Sequence, residues 1–383
     1  MMNEEIRFTC SSYLKNKQKE MALDNMKLIL LLSILISFLS CKGQIKTEST
    51  ASQSEANTML KLDKKTWSIY QDENNNYWFG SNGNGVFYYD GRKLKKYTKE
   101  DGLVDNTIRG IQGDHLGNVY IQTPEGISKY DGKTFSTLQP IISSSNKWKL
   151  EPNDLWFNCN GNPNDIYRYD GESLFELTLP RKNLDEAFDT KVQGLSFKNM
   201  NSSPYSVFGI DKDKAGNLWI GTVVAGAFRY DGKSFLWFPE KELSTLPDGR
   251  VPGVRSMIED KDGYFWLSNF ISKYKVVEQG GIVKYEKLKG IDSSNAAFQN
   301  RIGYFNSGVS DNNGDLWMIT YTGGVWKYDG KKLVNFSIMD DGTEVLLISI
   351  YKDNRGVLWL GTDNAGVFKY DGKRFVKFEV TAQ

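Results

Sequence analysis

The sequence predicts an all-β chain folded as one seven-bladed β-propeller with four-stranded blades. Three observations carry that expectation: an aromatic-anchored tract that recurs seven times, an Asp-x-x-Gly turn before it and an Asp-Gly turn after it. The tracts are YWFGS, VYIQT, LWFNC, LWIGT, FWLSN, LWMIT and LWLGT, anchored at Trp78, Tyr120, Trp156, Trp219, Trp266, Trp317 and Trp359. Residues 66–378 therefore hold seven units of about 45 residues, the length of a four-stranded blade. A 13% aromatic fraction and 36 glycines in 383 residues agree with short strands and many tight turns.

Ahead of the repeats, residues 28–39 (LILLLSILISFL) follow Lys27 and precede Ser40-Cys41. This mostly apolar stretch of twelve residues is too short to cross a bilayer, which takes about 20, and the pattern is that of a secretory signal. FLSC resembles a bacterial lipoprotein processing box, which implies Cys41 as the lipidated residue. Residues 1–25 are read as a mis-called start, 26–40 as the signal peptide and 41–65 as a flexible, Ser/Thr-rich tether. Removing residues 1–40 takes away five basic and four acidic groups, leaving 43 of each and no net charge. That balance offers no electrostatic footprint for nucleic acid. Cys159 then remains as a lone thiol, expected to fill a Ser/Thr position of the repeat.

Within each unit the punctuation has a backbone reason. An Asp stands six residues before the anchor at Asp72, Asp114, Asp213, Asp260, Asp311 and Asp353. Gly117, Gly216, Gly263, Gly314 and Gly356 stand three before it, with Asn75 in the first unit. Asp bonds the local backbone there and Gly or Asn takes positive φ, which makes a tight hairpin. About eleven residues after the anchor comes a second hairpin, Tyr89-Asp90-Gly91 in the first unit and Tyr370-Asp371-Gly372 in the last. Unit three has a shortened first turn (EPND). Unit five lacks the Asp-Gly turn and carries an insertion at 268–281.

The pattern LWIGT…AGAFRYDGKSF and its near copy LWLGTDNAGVFKYDGKRF resemble the two-component regulator propeller repeat. The resemblance implies the extracytoplasmic sensor region of Bacteroidetes-type receptors. With no kinase or second propeller in these 383 residues, it implies a stand-alone lipoprotein form. A tether beginning Lys42-Gly43-Gln44-Ile45-Lys46 lacks early acidic residues, so the expected address is the outer membrane's periplasmic face.

Both regular turns fall on one rim. The opposite rim receives the blade-to-blade connections, which are long at 137–146, 178–204, 239–252 and 287–305, and the unit-five insertion. Binding groups concentrate on variable loops held by a rigid scaffold. Candidate ligand-binding residues on that rim are Asn82, Asn84, Arg109, Trp148, Asn158, Asn160, Tyr205, Arg255, Asn269, Arg301, Tyr321 and Asp363. Aromatic, amide and Arg groups suit a glycan, a small molecule or an envelope protein as partner. No catalytic constellation, metal site or cofactor is expected. His115 is the single histidine and sits in a turn, and DKDKAGN at 211–217 lacks the later acidic ligand of a calcium loop. The leading expectation is a non-enzymatic ligand- or partner-binding lipoprotein. A propeller lyase or hydrolase and a structural scaffold of an outer-membrane complex remain as alternatives.

Overall fold

In six of the seven units the aromatic tract becomes the second strand of a four-stranded sheet. The computed structural model describes residues 60–158, 165–188, 203–244, 253–291 and 303–380, and these residues contain seven such sheets. Blade 1 runs Thr66–Gln71, Tyr77–Ser81, Val86–Tyr89, Leu94–Tyr97, each strand antiparallel to the next. Blade 4 repeats the order as Val207–Lys212, Leu218–Thr222, Ala227–Tyr230, Phe235–Phe238. Blades 2, 6 and 7 follow the same plan. First strands of successive blades touch one another, so they line the central channel. Successive turns therefore alternate between two rims, as expected.

The turn residues behave as the sequence requires. Asn75 takes φ of 64°, and its five glycine counterparts lie between 77° and 85°. The Asp and the anchor prove to be one device. In blade 4, Asp213 accepts the backbone N–H groups of Ala215 and Asn217, at 3.1 and 2.8 Å, and the Trp219 indole N–H at 3.1 Å. The same indole bond closes in blades 1, 5, 6 and 7 at 2.8 to 3.0 Å, and in blade 2 the Tyr120 hydroxyl replaces the indole. Each clip ties a tight turn to the centre of a blade.

Glycine in LWIGT and LWLGT has a separate purpose. A Cβ on Gly221 would meet the Val254 carbonyl oxygen at 2.1 Å, and one on Gly361 the Thr66 carbonyl oxygen at 2.8 Å. Adjacent blades thus press backbone to backbone beside the channel. The apolar core is divided accordingly into seven clusters, one at each junction between blades. The ring closes by packing: Ile69, Phe79 and Phe87 of blade 1 meet Trp359 and Val367 of blade 7. Tyr77 donates its hydroxyl to Asp353 at 2.8 Å across that junction.

Three expectations are corrected. The stretch expected to be tether up to residue 65 is engaged from Leu62 onward. Leu62 packs into the closure cluster, Asp63 accepts from Ser81 and Asn84, and the Lys64 carbonyl accepts from Gly366.

Blade 3 lacks the first strand expected of every unit. Its sheet begins at the channel with Leu155–Asn158, continues through Asp165–Tyr169 and Leu174–Thr178, and ends with Pro140–Ile141 parallel at the outer edge. Lys147 to Glu151 alternate as a strand would, yet they pair with no neighbour as one, and Pro152 after them lacks the donor a strand needs. Side chains cap the exposed edge instead. Gln112 donates to the Trp156 carbonyl at 2.9 Å, Gln122 to that of Asn158, and Lys212 to that of Asp154 at 2.8 Å.

The unit-five insertion is mostly not a rim loop. It forms the long strand Ser272–Gln279, paired along its length with Ile282–Lys289. Gly280 and Gly281, at φ 61° and 78°, turn that hairpin on the opposite, tight rim. Cys41, Cys159, Asn160 and Arg301 lie outside the described residues.

Candidate functional site

Five residues before the clip aspartate, each first strand enters from the rim of long connections. That repeat position holds Trp67, Arg109, Phe208, Arg255, Asn306 and Ile348 in blades 1, 2, 4, 5, 6 and 7. Repetition fixes the backbone there but leaves the side chain free to vary.

These side chains form a collar around the channel mouth. The Arg109 guanidinium lies 4.5 Å from the Trp67 ring, and that of Arg255 lies 3.9 Å from Phe208 and 6.0 Å from Tyr321. Arg109 also approaches Asn82 at 3.5 Å. The Trp67 indole donates to Asp363 at 2.8 Å. Gln122 donates to Asn158, and Asn158 donates to the Val207 carbonyl at 2.9 Å, next to Phe208. Asn306 donates to the Leu347 and Ile348 carbonyls at 3.2 and 3.0 Å. All seven blades contribute to this belt.

Its polar groups are incompletely satisfied. Six buried side-chain polar atoms have no partner among the described residues, and three of them occupy this one repeat position: Arg109 Nε, Arg255 Nε and Asn306 Oδ1. Such atoms cost stability unless something answers them, so their concentration marks the collar. Burial lowers the Arg109 pKa, with Asp105 acting weakly against it. Burial likewise pushes the Tyr304 phenol up, opposed by Arg255, which reaches its hydroxyl. Deeper in the channel, Asp211 is surrounded by protein, which pushes its carboxyl up to about 7 against one bond from the Met257 N–H at 3.2 Å. Its own surface stays exposed to channel solvent, and that contact with water limits the shift.

The twelve rim residues separate clearly. Asn82, Arg109, Asn158, Arg255, Tyr321 and Asp363 come together in the collar. Asn84 is exposed beside it, bound to Asp63 at 2.6 Å. Trp148 lies away from the mouth, stacked on Trp156 with ring centroids 5.7 Å apart and edge-on to Phe235 of blade 4. It fills the gap left by the displaced segment of blade 3. Tyr205 is buried, its hydroxyl bonded to Lys182, and Asn269 is buried with its carbonyl accepting from the Ser272 N–H at 2.8 Å. Both serve structure. His115 is exposed on the tight rim. Asp213, in the calcium-like sequence, has its oxygens taken by the clip, Asn217 and Arg229.

Trp67, Phe208 and Asn306 escape a reading that assigns tryptophans and strand residues to packing. Aligning the units on their clip aspartates brings Trp67, Phe208 and Asn306 to the same offset as Arg109 and Arg255. A second concavity also escapes it. A cleft of about 370 Å³ opens between blades 2 and 3, walled by Pro124, Ile127, Leu138, Pro140, Tyr167 and Leu174, with Glu125 at its lip. Its volume suits a small ligand, but its described walls carry no unanswered buried polar atom.

A family model described as "Two component regulator propeller" matches residues 62–83 and 341–364. The chain carries that repeat. The two matches cover the clip hairpins of blades 1 and 7, the pair that closes the ring. No curated protein matches the chain. Among solved structures, the extracellular domain of a proposed hybrid two-component system from B. thetaiotaomicron is similar at 20% identity and a TM-score of 0.51. That likeness covers 81% of this chain and 38% of that one, so the repeat-bearing chain spans well under half of the receptor domain. A streptogramin B lyase is similar at 14% identity and a TM-score of 0.55, covering 80% and 93%. YCF48 from Cyanidioschyzon merolae follows at 12% and 0.52, covering 82% and 96%. What these likenesses share with the chain is the propeller fold. No helix among the described residues is long and apolar enough to cross a membrane.

Proposed function

We propose that this chain is an extracytoplasmic, membrane-tethered sensor-accessory propeller that binds a ligand or partner at the channel-mouth collar and performs no chemistry of its own. The observation that carries the reading is the pair of aromatic-backed guanidiniums at one repeat position, each with a buried Nε lacking a partner. The repeat it carries is the type found in two-component regulators, which supports a sensing role. Against catalysis stands the location of the single histidine, exposed in a tight-rim turn far from the collar in the blade topology.

Calorimetric titration of the whole chain against a panel of neutral and acidic oligosaccharides tests the binding role. Heat that disappears on collar substitution is the expected result, and silence across the panel removes the reading. Tethering has its own test. Cys41→Ser is expected to release the protein from membranes, and unchanged membrane fractionation removes the lipid anchor.

A further inference from the structure

Taking the collar as the recognition site, as proposed above, we infer that its ligand is anionic and is gripped through an oxyanion by the guanidinium edges of Arg109 and Arg255. The two residues occupy the same repeat position in blades 2 and 5, on opposite sides of a seven-membered ring. A ligand spanning the mouth meets both.

The treatment of other buried charges in the same molecule sets the standard. Arg168 is buried to the same degree as the core, and the chain supplies it with a bidentate carboxylate. Its Nε and Nη2 bond Asp154 at 2.6 and 3.0 Å. Arg229 likewise reaches Asp213 at 3.3 Å. Neither Arg109 nor Arg255 has a carboxylate within ion-pair distance among the described residues. The acids nearest in the collar are already committed. Asp363 accepts the Trp67 indole N–H, and Asp105 accepts the Thr107 backbone N–H at 2.8 Å while Lys99 stands 3.9 Å away.

Removing a guanidinium from water without pairing it is costly. Cation–π contact with Trp67 and Phe208 recovers part of that cost. A stacked Arg presents its donor edge outward, in the fork that matches a carboxylate, sulfate or phosphate. Both residues are only partly buried, so part of each side chain meets solvent although its Nε does not. Arg109 has the Asn82 amide oxygen and Arg255 the Tyr304 hydroxyl, both neutral, and an incoming oxyanion supplies the negative charge that the fold withholds.

The deciding experiment titrates the full chain with a trigalacturonate and with its methyl ester, which keeps the sugar ring and removes the charge. Inorganic phosphate and sulfate run in parallel. The inference expects the acid to bind and the ester not to, with affinity falling as salt rises. Arg109→Gln and Arg255→Gln should each weaken binding by about tenfold or more, the loss of a charge-assisted bond. Arg109→Lys, which keeps the charge but loses the fork, should recover only part. Arginine-dependent binding of phosphate or sulfate alone also supports the oxyanion site and names a free ion as its source. Equal binding of acid and ester, unchanged in the Arg variants, overturns the anionic assignment. If the ester's binding is still lost in Trp67→Ala, the collar stands as a neutral-ligand site. Silence of every oxyanion overturns the inference, and the binding role fails with it only if neutral oligosaccharides are silent too.

Discussion

The two rims of this propeller are built from the same seven strandsets and treat their polar groups in opposite ways. On the tight rim each clip carboxylate is saturated: Asp353 accepts the N–H groups of Arg355 and Val357, the Trp359 indole and the Tyr77 hydroxyl, all at 2.8 to 2.9 Å. Burial works to raise that carboxyl, but those donors outweigh it and hold it below the usual range. On the collar, two guanidiniums and an amide oxygen are left short. A fold able to satisfy buried charge this thoroughly on one side leaves it unanswered on the other. The tight rim holds the scaffold together, and on the proposed reading the collar is left open for a ligand.

Substitutions can break that division. Asp213→Ala strips the acceptor from the Trp219 indole, two backbone N–H groups, Asn217 and Arg229. Chemical denaturation should show a loss of about 2–4 kcal/mol with ligand affinity of the surviving fold unchanged. Arg255→Gln should do the reverse, leaving the denaturation midpoint in place or slightly raised while binding drops. A strongly destabilised Arg255→Gln would make the arginine a scaffold residue and erase the distinction between the rims.

A finer contrast lies within the clips. In blade 3, Arg168 has taken both oxygens of Asp154, and the Trp156 indole N–H is buried without a partner. Trp219→Phe should therefore cost about 1–2 kcal/mol, lost bond and cavity together, and Trp156→Phe distinctly less. Equal costs would deny the indole bond any energetic role.

The smallest effect concerns pH. Asp211 is raised towards 7 in the folded chain, so from about pH 4 to 7 the folded state holds more of its proton than the unfolded state does. Stability should fall across that window as pH rises, by an amount reduced through contact with channel water. Thermal melts of wild type and Asp211→Asn should agree near pH 4 and separate towards pH 7, the variant melting higher. Parallel curves would show that the channel solvates the carboxylate fully.

Much of this was legible in the sequence, because repetition turns weak local signals into strong ones. Asp, Gly and Trp at fixed offsets mark the clip hairpin in four units, Tyr120 stands for the Trp in a fifth, and in the sixth Asn75 falls at positive φ by analogy with its sister glycines. Legibility ended where a unit departed from its siblings. The missing first strand of blade 3 is made good by capping from Gln112, Gln122 and Lys212, residues of neighbouring blades that no local pattern connects to it. The blade 5 insertion looked like a loop because Gly280-Gly281 replaces Asp-Gly at its turn, while Ser272–Gln279 alternates as a strand should. Six of the rim candidates lie together at the channel mouth. Trp148 was misplaced because a tryptophan in a long connection looks free, whereas here it substitutes for missing blade core.

The central claim is that the collar is a prepared anion site whose arginines contribute to binding and not to folding. Its most direct test measures melting temperature and trigalacturonate affinity together in the Arg109→Gln/Arg255→Gln double variant. The expected result is an undiminished melting temperature with binding abolished. Wild-type affinity in that variant, or a collapse of the fold without its arginines, would contradict the claim.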